Sequence, residues 1–397
     1  MKIAPLRLKK NEDRRLRAGH LWVFSNEVDV TQTPLTAFEP GQPVTIHASN
    51  GAVLGSGYVN PNSLICARLV SRDLAYQLDQ ALLVHRLNIA LSLRTRLFDK
   101  PYYRLVFGES DGLPGLVVDR FGDVLVAQIG TAGMERLKTE IINALDKVLK
   151  PAGILLRNNI SSRALEGLPS YVETALGMIP ETVRLEENGV AFETSLLAGQ
   201  KTGWFYDHRL NRARMQCYVP GKRVLDVFSY VGGWGVQAAA AGAREVVCID
   251  SSRSAIDLLE HNAGLNKVGA RVSALHADAF EALKSLRAAR EKFDVVILDP
   301  PAFIKRRKDI KEGLQTYHRL NQMALQVLDK DGILISASCS HHLEAGALQD
   351  VLLQSSRHID RNLQILEQGH QGPDHPVHPA IPETAYLKAF IARVLSG

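Results

Sequence analysis

Cysteine is scarce. Four residues in 397, Cys66, Cys217, Cys248 and Cys339, lie far apart, with no CxxC pair and no zinc-type spacing. That excludes a disulfide framework or a structural zinc cluster and fits reduced thiols in a reducing compartment. Long apolar runs are missing too: no stretch reaches the roughly 18 residues of a membrane span. The opening Met1-Lys-Ile-Ala-Pro-Leu-Arg-Leu-Lys-Lys10 has basic residues but no apolar core of signal-peptide length. A cytoplasmic protein that stays off membranes is expected. No internal repeat, low-complexity segment or metal-ligating cluster stands out. What is present suits a packed globular chain: 46% hydrophobic and 22% charged residues. The net charge of +5 is compatible with a polyanionic partner but is shared by many enzymes. The length of 397 residues implies two or three domains.

The chain is organised around residues 224–299. Lys222-Arg-Val-Leu-Asp-Val-Phe-Ser-Tyr-Val-Gly-Gly-Trp-Gly235 opens this stretch, Val246-Val-Cys-Ile-Asp250 follows, and Phe293-Asp-Val-Val-Ile-Leu-Asp-Pro-Pro-Ala-Phe303 closes it. The apolar runs are short and rich in β-branched residues, as strands buried on both faces of a parallel sheet should be. Asp226, Asp250 and Asp299 stand at or near their ends, where open α/β sheets bind ligands. Between the first two runs a glycine-rich then alanine-rich stretch predicts a tight turn feeding a helix, completing a βαβ unit. Asp250 follows Asp226 at close to the spacing at which a second-strand acid meets ribose hydroxyls.

The glycine pattern is not the dinucleotide fingerprint, because an acid precedes the turn and would repel a pyrophosphate. It resembles the S-adenosylmethionine site of class I methyltransferases. The resemblance implies that Asp226 and the turn at Tyr230 and Gly232 meet the methionine part. It implies further that Asp250 holds the ribose and Asp278 the adenine amino group, for which an acid is a suitable acceptor.

The front of the chain reads as small strands broken by Gly and Pro: Gln42–His47, 52–59 and 64–70. Gly55-x-Gly-x-x-Asn60-Pro61-x-Ser63 with Arg68 looks like a PUA RNA-binding domain. Residues 78–97 have apolar residues at helix spacing, with Arg86, Arg94 and Arg96 expected on a solvated face. Strands are expected at 102–106, 116–118, 124–130 and 153–157, and an amphipathic helix at 135–149. Glu109-Ser-Asp-Gly-Leu-Pro-Gly115 reads as a structural loop. Three domains follow: 1–75, PUA-like; 76–189, α+β; and 190–397, an α/β domain of the class I (Rossmann-like) methyltransferase type.

Gln200-Lys-Thr-Gly203 and Phe205-x-Asp207-x-Arg209 precede the first core strand. Arg209 matches a carboxylate bidentately, while Lys201 and Asp207 suit capping and charge pairing. Asp299-Pro-Pro-Ala-Phe303 is a stiff loop, because proline neither continues a helix nor donates to a ladder. Similar loops in amino-methyltransferases hold a planar nitrogenous substrate. Lys305-Arg-Arg-Lys308 follows, a solvated run or a set of phosphate contacts.

Ser338-Cys339-Ser340 ends a strand expected over 333–337. A thiolate there can add to C6 of a pyrimidine and activate C5 towards methylation. These motifs, with the PUA-like front, resemble a bacterial family of 23S ribosomal RNA cytosine-5 methyltransferases over nearly the whole chain. The resemblance implies S-adenosylmethionine as cofactor, Cys339 as nucleophile and Asp299 on the base. Thr202, Phe205, Arg209 and Pro300 join the cofactor pocket in that scheme. The partner it implies is 23S rRNA, naked or in an early particle; the oligomeric state, a homodimer included, stays open. Related RNA cytosine-5 enzymes carry a Pro-Cys where this chain has Pro300-Pro301, so product release here must differ. His341 and His342 are candidate bases, though exposed histidines are the simpler reading. Two rivals stand: a guanine N-methyltransferase of the same fold, and a non-catalytic RNA-binding or assembly factor.

Overall fold

Alternation of apolar and polar residues near the start gives short strands with one buried face, as in Gln42–His47, where Val44 and Ile46 point inward. The structure is a computed structural model that describes residues 3–396. Its packing divides the chain into two units. The first comprises Met1–Val183, Leu196–Trp204 and Pro373–Thr384; the second comprises Arg184–Ser195, Phe205–Gly372 and Ala385–Gly397.

In the first unit β1 (Ala4–Arg7), β2 (Trp22–Val23), β3 (Gln42–His47), β4 (Val53–Val59) and β5 (Ala67–Ser71) form a sheet in the order β1-β3-β4-β5-β2. Leu6, Val23, Ile46, Val59 and Leu69 close its core. A second sheet holds β6 (Tyr102–Phe107), β7 (Leu116–Phe121), β8 (Val124–Ile129), β9 (Gly153–Arg157) and β10 (Val172–Gly177) in the order β10-β9-β8-β7-β6. β8 and β9 are parallel and joined through helix Lys138–Leu149. Helix Gln80–Leu97, capped by Asp79 accepting from Leu82 N–H at 3.0 Å, packs on that helix.

Several polar residues of this unit bind its two sheets together. Asn60 and Arg68, the residues behind the PUA resemblance, are 1% and 8% exposed. Asn60 Nδ2 donates to Glu166 Oε2 at 2.7 Å, and Arg68 donates to Glu166 Oε1 at 3.1 Å. Tyr58 lies flat against Gly133, where a Cβ would fall 2.1 Å from the ring, and its hydroxyl donates to Pro114 O at 2.8 Å. Arg86 and Arg94 correct the expectation of a solvated face. Arg94 is fully buried and grips Asp111 through two bonds of 2.6 and 2.7 Å, while Arg86 donates to Val70 O at 2.6 Å. The turn around Asp111 supplies a carboxylate for the guanidinium, and that pairing lets the charge go inside.

The second unit begins with the hairpin β11 (Thr182–Glu187) and β12 (Val190–Ser195). Its main sheet contains β13 (Arg223–Val227), β14 (Glu245–Asp250), β15 (Val272–His276), β16 (Phe293–Leu298), β17 (Leu328–Ser338), β18 (Arg361–Gly369) and β19 (Lys388–Ser396). The order is β15-β14-β13-β16-β17-β19-β18. β13 to β17 are parallel, and β19 runs antiparallel to both of its neighbours. Helices Ala279–Ala288, Ile310–Val327 and Ala345–Arg357 cover it, burying Leu283, Tyr317, Leu320 and Leu348 against Val296, Leu298 and Phe390. β13 lies between β14 and β16, so the chain reverses direction across the sheet there, which is where such folds open a crevice. Among the described residues no helix is long and apolar enough to cross a membrane.

Candidate active site

Because β13 to β17 are parallel, their carboxyl ends share one edge of the sheet. Along it the order β15-β14-β13-β16-β17 lines up Asp278, Asp250, Asp226, Asp299 and Cys339. Four acids and a thiol that are scattered in sequence thus stand on neighbouring strand ends.

Asp226, expected to face a ligand, is completely buried beneath the glycine turn, where its Oδ2 accepts from Gly235 N–H at 2.8 Å. A Cβ on Gly235 would lie 2.4 Å from Cys248 Sγ, so this approach needs glycine. Burial, with Asp299 and Asp250 nearby, pushes the Asp226 carboxyl up to about 8 against the opposing Gly235 hydrogen bond. Gly232 has φ +90, and the turn also holds Phe228 at φ 67 and Tyr230 at φ 49. Two non-glycine residues in the left-handed region mark a backbone held in a conformation it would not choose alone. Asn262 helps hold it, donating to Val231 O at 3.0 Å and accepting from Glu193 N–H at 2.8 Å.

Asp250 accepts from Tyr230 N–H and Ser252 N–H, both at 2.8 Å, which fixes its carboxylate at the end of β14. Phe205 meets the Tyr230 ring edge-on at 5.5 Å, and both rings are partly exposed beside that carboxylate. Asp278 is exposed and caps helix Ala279–Ala288 through bonds from Phe280 and Glu281 N–H of 2.9 and 3.1 Å. The aspartate satisfies N–H donors that the first turn of a helix leaves without partners.

Asp299 sits in a cage that its neighbours in sequence do not announce. Trp234 Nε1 donates to its Oδ2 at 3.0 Å, and His208 Nε2 lies 3.1 Å from its Oδ1. His208 packs edge-on against Trp234 at 5.3 Å, and its Nδ1 meets Asn211 Nδ2 at 3.1 Å. Burial opposes ionisation of Asp299, but His208, Trp234 and the charge of Arg212 outweigh it and hold the carboxyl below the usual carboxylate range. Pro300 is buried and Pro301 exposed, so the loop reaches the surface two residues after the acid.

Arg209, expected on a cofactor carboxylate, lies 3.7 Å from Glu187, which also takes Arg212 at 2.5 Å. β11 supplies an acid for both, which the sequence around Arg209 does not reveal. Thr202 belongs to the first unit, where it is fully buried and donates to Asp119 Oδ2 at 2.6 Å.

Cys339 is partly exposed after the last residue of β17, unlike the buried Cys66 and Cys248. Tyr317 bridges the serines on either side of it, its hydroxyl 2.8 Å from Ser338 Oγ and 2.9 Å from Ser340 Oγ. Ser340 Oγ also accepts from Ile304 N–H at 3.2 Å, and Phe303 packs on the Tyr317 ring at 4.8 Å. The Asp-Pro-Pro loop and the thiol loop are thereby tied to one tyrosine.

The edge offers carboxylate acceptors and partly exposed rings. Asp226 Oδ1 and Ser229 Oγ are buried with no hydrogen-bond partner among the described residues, a costly state that a further polar group would relieve. Such a set fits a ligand carrying hydroxyls, an amine and positive charge.

Comparison with known proteins decides the family. A model described as S-adenosylmethionine-dependent methyltransferase matches residues 168–393, and one described as a PUA-like domain matches residues 6–72. The ribosomal RNA large subunit methyltransferase I of Aliivibrio fischeri (strain ATCC 700601 / ES114) is 37% identical over 393 residues, covering 98% of both chains. That of Citrobacter koseri is 35% identical, again covering 98% of each. The chain belongs to the ribosomal RNA large subunit methyltransferase I family. Its cofactor is S-adenosylmethionine, as in the matching methyltransferase model. Among solved structures, a protein in complex with SAH superposes with a TM-score of 0.84 at 21% identity, covering 98% of this chain and 100% of that one. A chain from Streptococcus mutans gives 0.82 at 20% identity, with 98% and 100% covered. These two likenesses bear on the fold alone.

Proposed function

We propose that this family member methylates C5 of a cytosine in 23S rRNA, with Cys339 as the nucleophile. One observation carries the reading: a partly exposed thiol ends the strand next to Asp299 on the edge that bears the other three acids. C5 of cytosine is a poor nucleophile until a sulfur adds at C6.

S-adenosylmethionine supplies a methyl group on a sulfonium. Asp250 is held to accept from ribose hydroxyls, and Asp278 Oδ2 from an amine, since Oδ1 serves the helix cap. The turn of Tyr230 and Gly232, with Phe205, lies beside Asp250, Pro300 follows Asp299 on the other side of β13, and Asp226 supports the turn from beneath. Thr202 is held by Asp119 within the first unit, and Arg209 is drawn to Glu187 within the second. Asp299, kept ionised, accepts from the cytosine amine and fixes the ring. The Cys339 thiolate forms the S–C6 bond, and the electron pair released to C5 takes the methyl group as the carbon–sulfonium bond breaks. Loss of the C5 proton to a base then expels the thiolate and restores the ring. The basic run Lys305-Arg-Arg-Lys308 follows this loop and is exposed throughout; in this reading it meets phosphates. The first 75 residues act as an RNA grip.

The test is methyl transfer from labelled S-adenosylmethionine to undermodified 23S rRNA, free or in particles, followed by digestion to nucleosides. Label in 5-methylcytidine that disappears in Cys339→Ala is expected. Label in a guanosine that survives the substitution would make this a nitrogen methyltransferase instead. No transfer to any RNA form would favour a binding or assembly factor.

A further inference from the structure

β19 enters the sheet antiparallel to β17, and its register sets Lys388 opposite Ser338, the residue before Cys339. Lys388 is 7% exposed. Its Nζ donates to Ser340 O at 2.5 Å and to Tyr386 O at 2.7 Å. Both acceptors are neutral carbonyls, and among the described residues no carboxylate is paired with this ammonium. A buried cation without a counter-ion is costly unless something negative forms beside it. Burial pulls Lys388 down to about 8, and the adjoining Cys339 acts in the opposite sense.

Other titratable groups face the same loop from each neighbouring element. Tyr317 comes from helix Ile310–Val327, its hydroxyl shared by Ser338 and Ser340; burial raises it, and Cys339 adds to that rise. His341 stacks on Tyr386 at 5.3 Å, and the Tyr386 hydroxyl donates to Asp207 Oδ2 at 2.6 Å. Asp299 leads the loop that joins Ser340 through Ile304. None of these brings a fixed positive charge, whereas Lys388 carries one below pH 8 or so, bonded to the residue after the thiol.

We propose that Lys388 is a positioning residue for Cys339: anchored to Ser340 O, it fixes the thiol loop and supplies the positive charge against which the thiolate forms. The proposal rests on the reading of Cys339 as nucleophile. In this step the S–H proton leaves to solvent, Lys388 keeps its own, and no electrons change hands.

The test follows alkylation of Cys339 in the full-length protein, by peptide mass spectrometry, from acid to alkaline pH. With iodoacetamide, Lys388→Gln and Lys388→Met should react roughly tenfold more slowly near neutral pH and at nearly the wild-type rate in alkali, as expected when a neighbouring charge is removed. Lys388→Arg should restore most of the neutral rate. Methyl transfer should fall in kcat with KM for RNA unchanged. A measurement without substitution guards against misfolding of the variants. In the wild type, anionic iodoacetate should be favoured over iodoacetamide at Cys339 several-fold more than at the exposed Cys217, and the preference should fade above the lysine's titration. The same reagent preference at both cysteines, or wild-type pH profiles in folded Lys388→Gln, overturns the role of Lys388. If Cys339→Ala keeps full methyl transfer while the alkylation results stand, the nucleophile reading fails and the local electrostatics survive.

Discussion

Asp226 should make the protein less stable as the pH rises through the neutral range, and Asp226→Asn should remove that dependence. The native carboxyl is pushed to about 8 by burial under the glycine turn, whereas an unfolded aspartate titrates near 3.9. Between these limits the folded chain holds a proton that the unfolded chain has released. The stability linked to this group is therefore fully present below about pH 4 and is lost as the pH climbs towards about 8. From pH 5 to pH 7 the loss through this one group is about 3 kcal/mol. Asparagine keeps an oxygen to accept from Gly235 N–H and has no proton to lose. Urea unfolding of both proteins at pH 5, 6 and 7 gives the difference directly, and it should move in favour of the variant by about that amount. Parallel curves would refute the reasoning, because they would mean that Asp226 carries the same charge folded and unfolded.

Other perturbations have equally definite outcomes. Arg94→Met leaves the Asp111 carboxylate buried without its bidentate partner and should cost about 3–5 kcal/mol, read by thermal or urea unfolding of the first unit. Tyr317→Phe removes the hydroxyl shared by Ser338 and Ser340. It should cost about 1–2 kcal/mol and slow methyl transfer without weakening binding of S-adenosylmethionine, which calorimetry and turnover separate. Alanine at Lys305, Arg306, Arg307 and Lys308 should flatten the salt dependence of RNA binding by about 0.7 in slope for each phosphate that is no longer neutralised. Cofactor binding should be unchanged, and an unaltered slope would return the run to a merely solvated loop.

The methyltransferase unit was the more legible because its information is local. Residues 224–250 carry strand, turn, helix and strand in one stretch, and each step has its own residue signature: β-branched runs, glycines, then alanines. Asp250 and Asp299 at strand ends were readable for the same reason. Contacts made across the sequence were not. Arg94 looks like any helix-surface arginine until the Asp111 turn folds beneath it, and nothing around Asn60 and Arg68 shows that Glu166, about a hundred residues on, will pair with both. Glu187 claims Arg209 in the same way. His208 lay inside a segment already singled out, but nothing in its neighbours says that Asp299 will sit 3.1 Å away. Lys388 had no signal at all. β19 follows a long polar stretch without motifs, and only its antiparallel insertion beside β17 brings that lysine to the thiol loop.

The most direct test of the central claim uses RNA in which the target cytosines are replaced by 5-fluorocytosine. Fluorine at C5 cannot leave as a proton does, so a thiolate that has added at C6 stays attached after methyl transfer. With S-adenosylmethionine present, the wild type should give a denaturant-stable protein–RNA adduct that peptide mapping places on Cys339, and Cys339→Ala should give none. Methyl transfer to unsubstituted cytosine, with no adduct ever forming on the fluorinated RNA, would contradict the account.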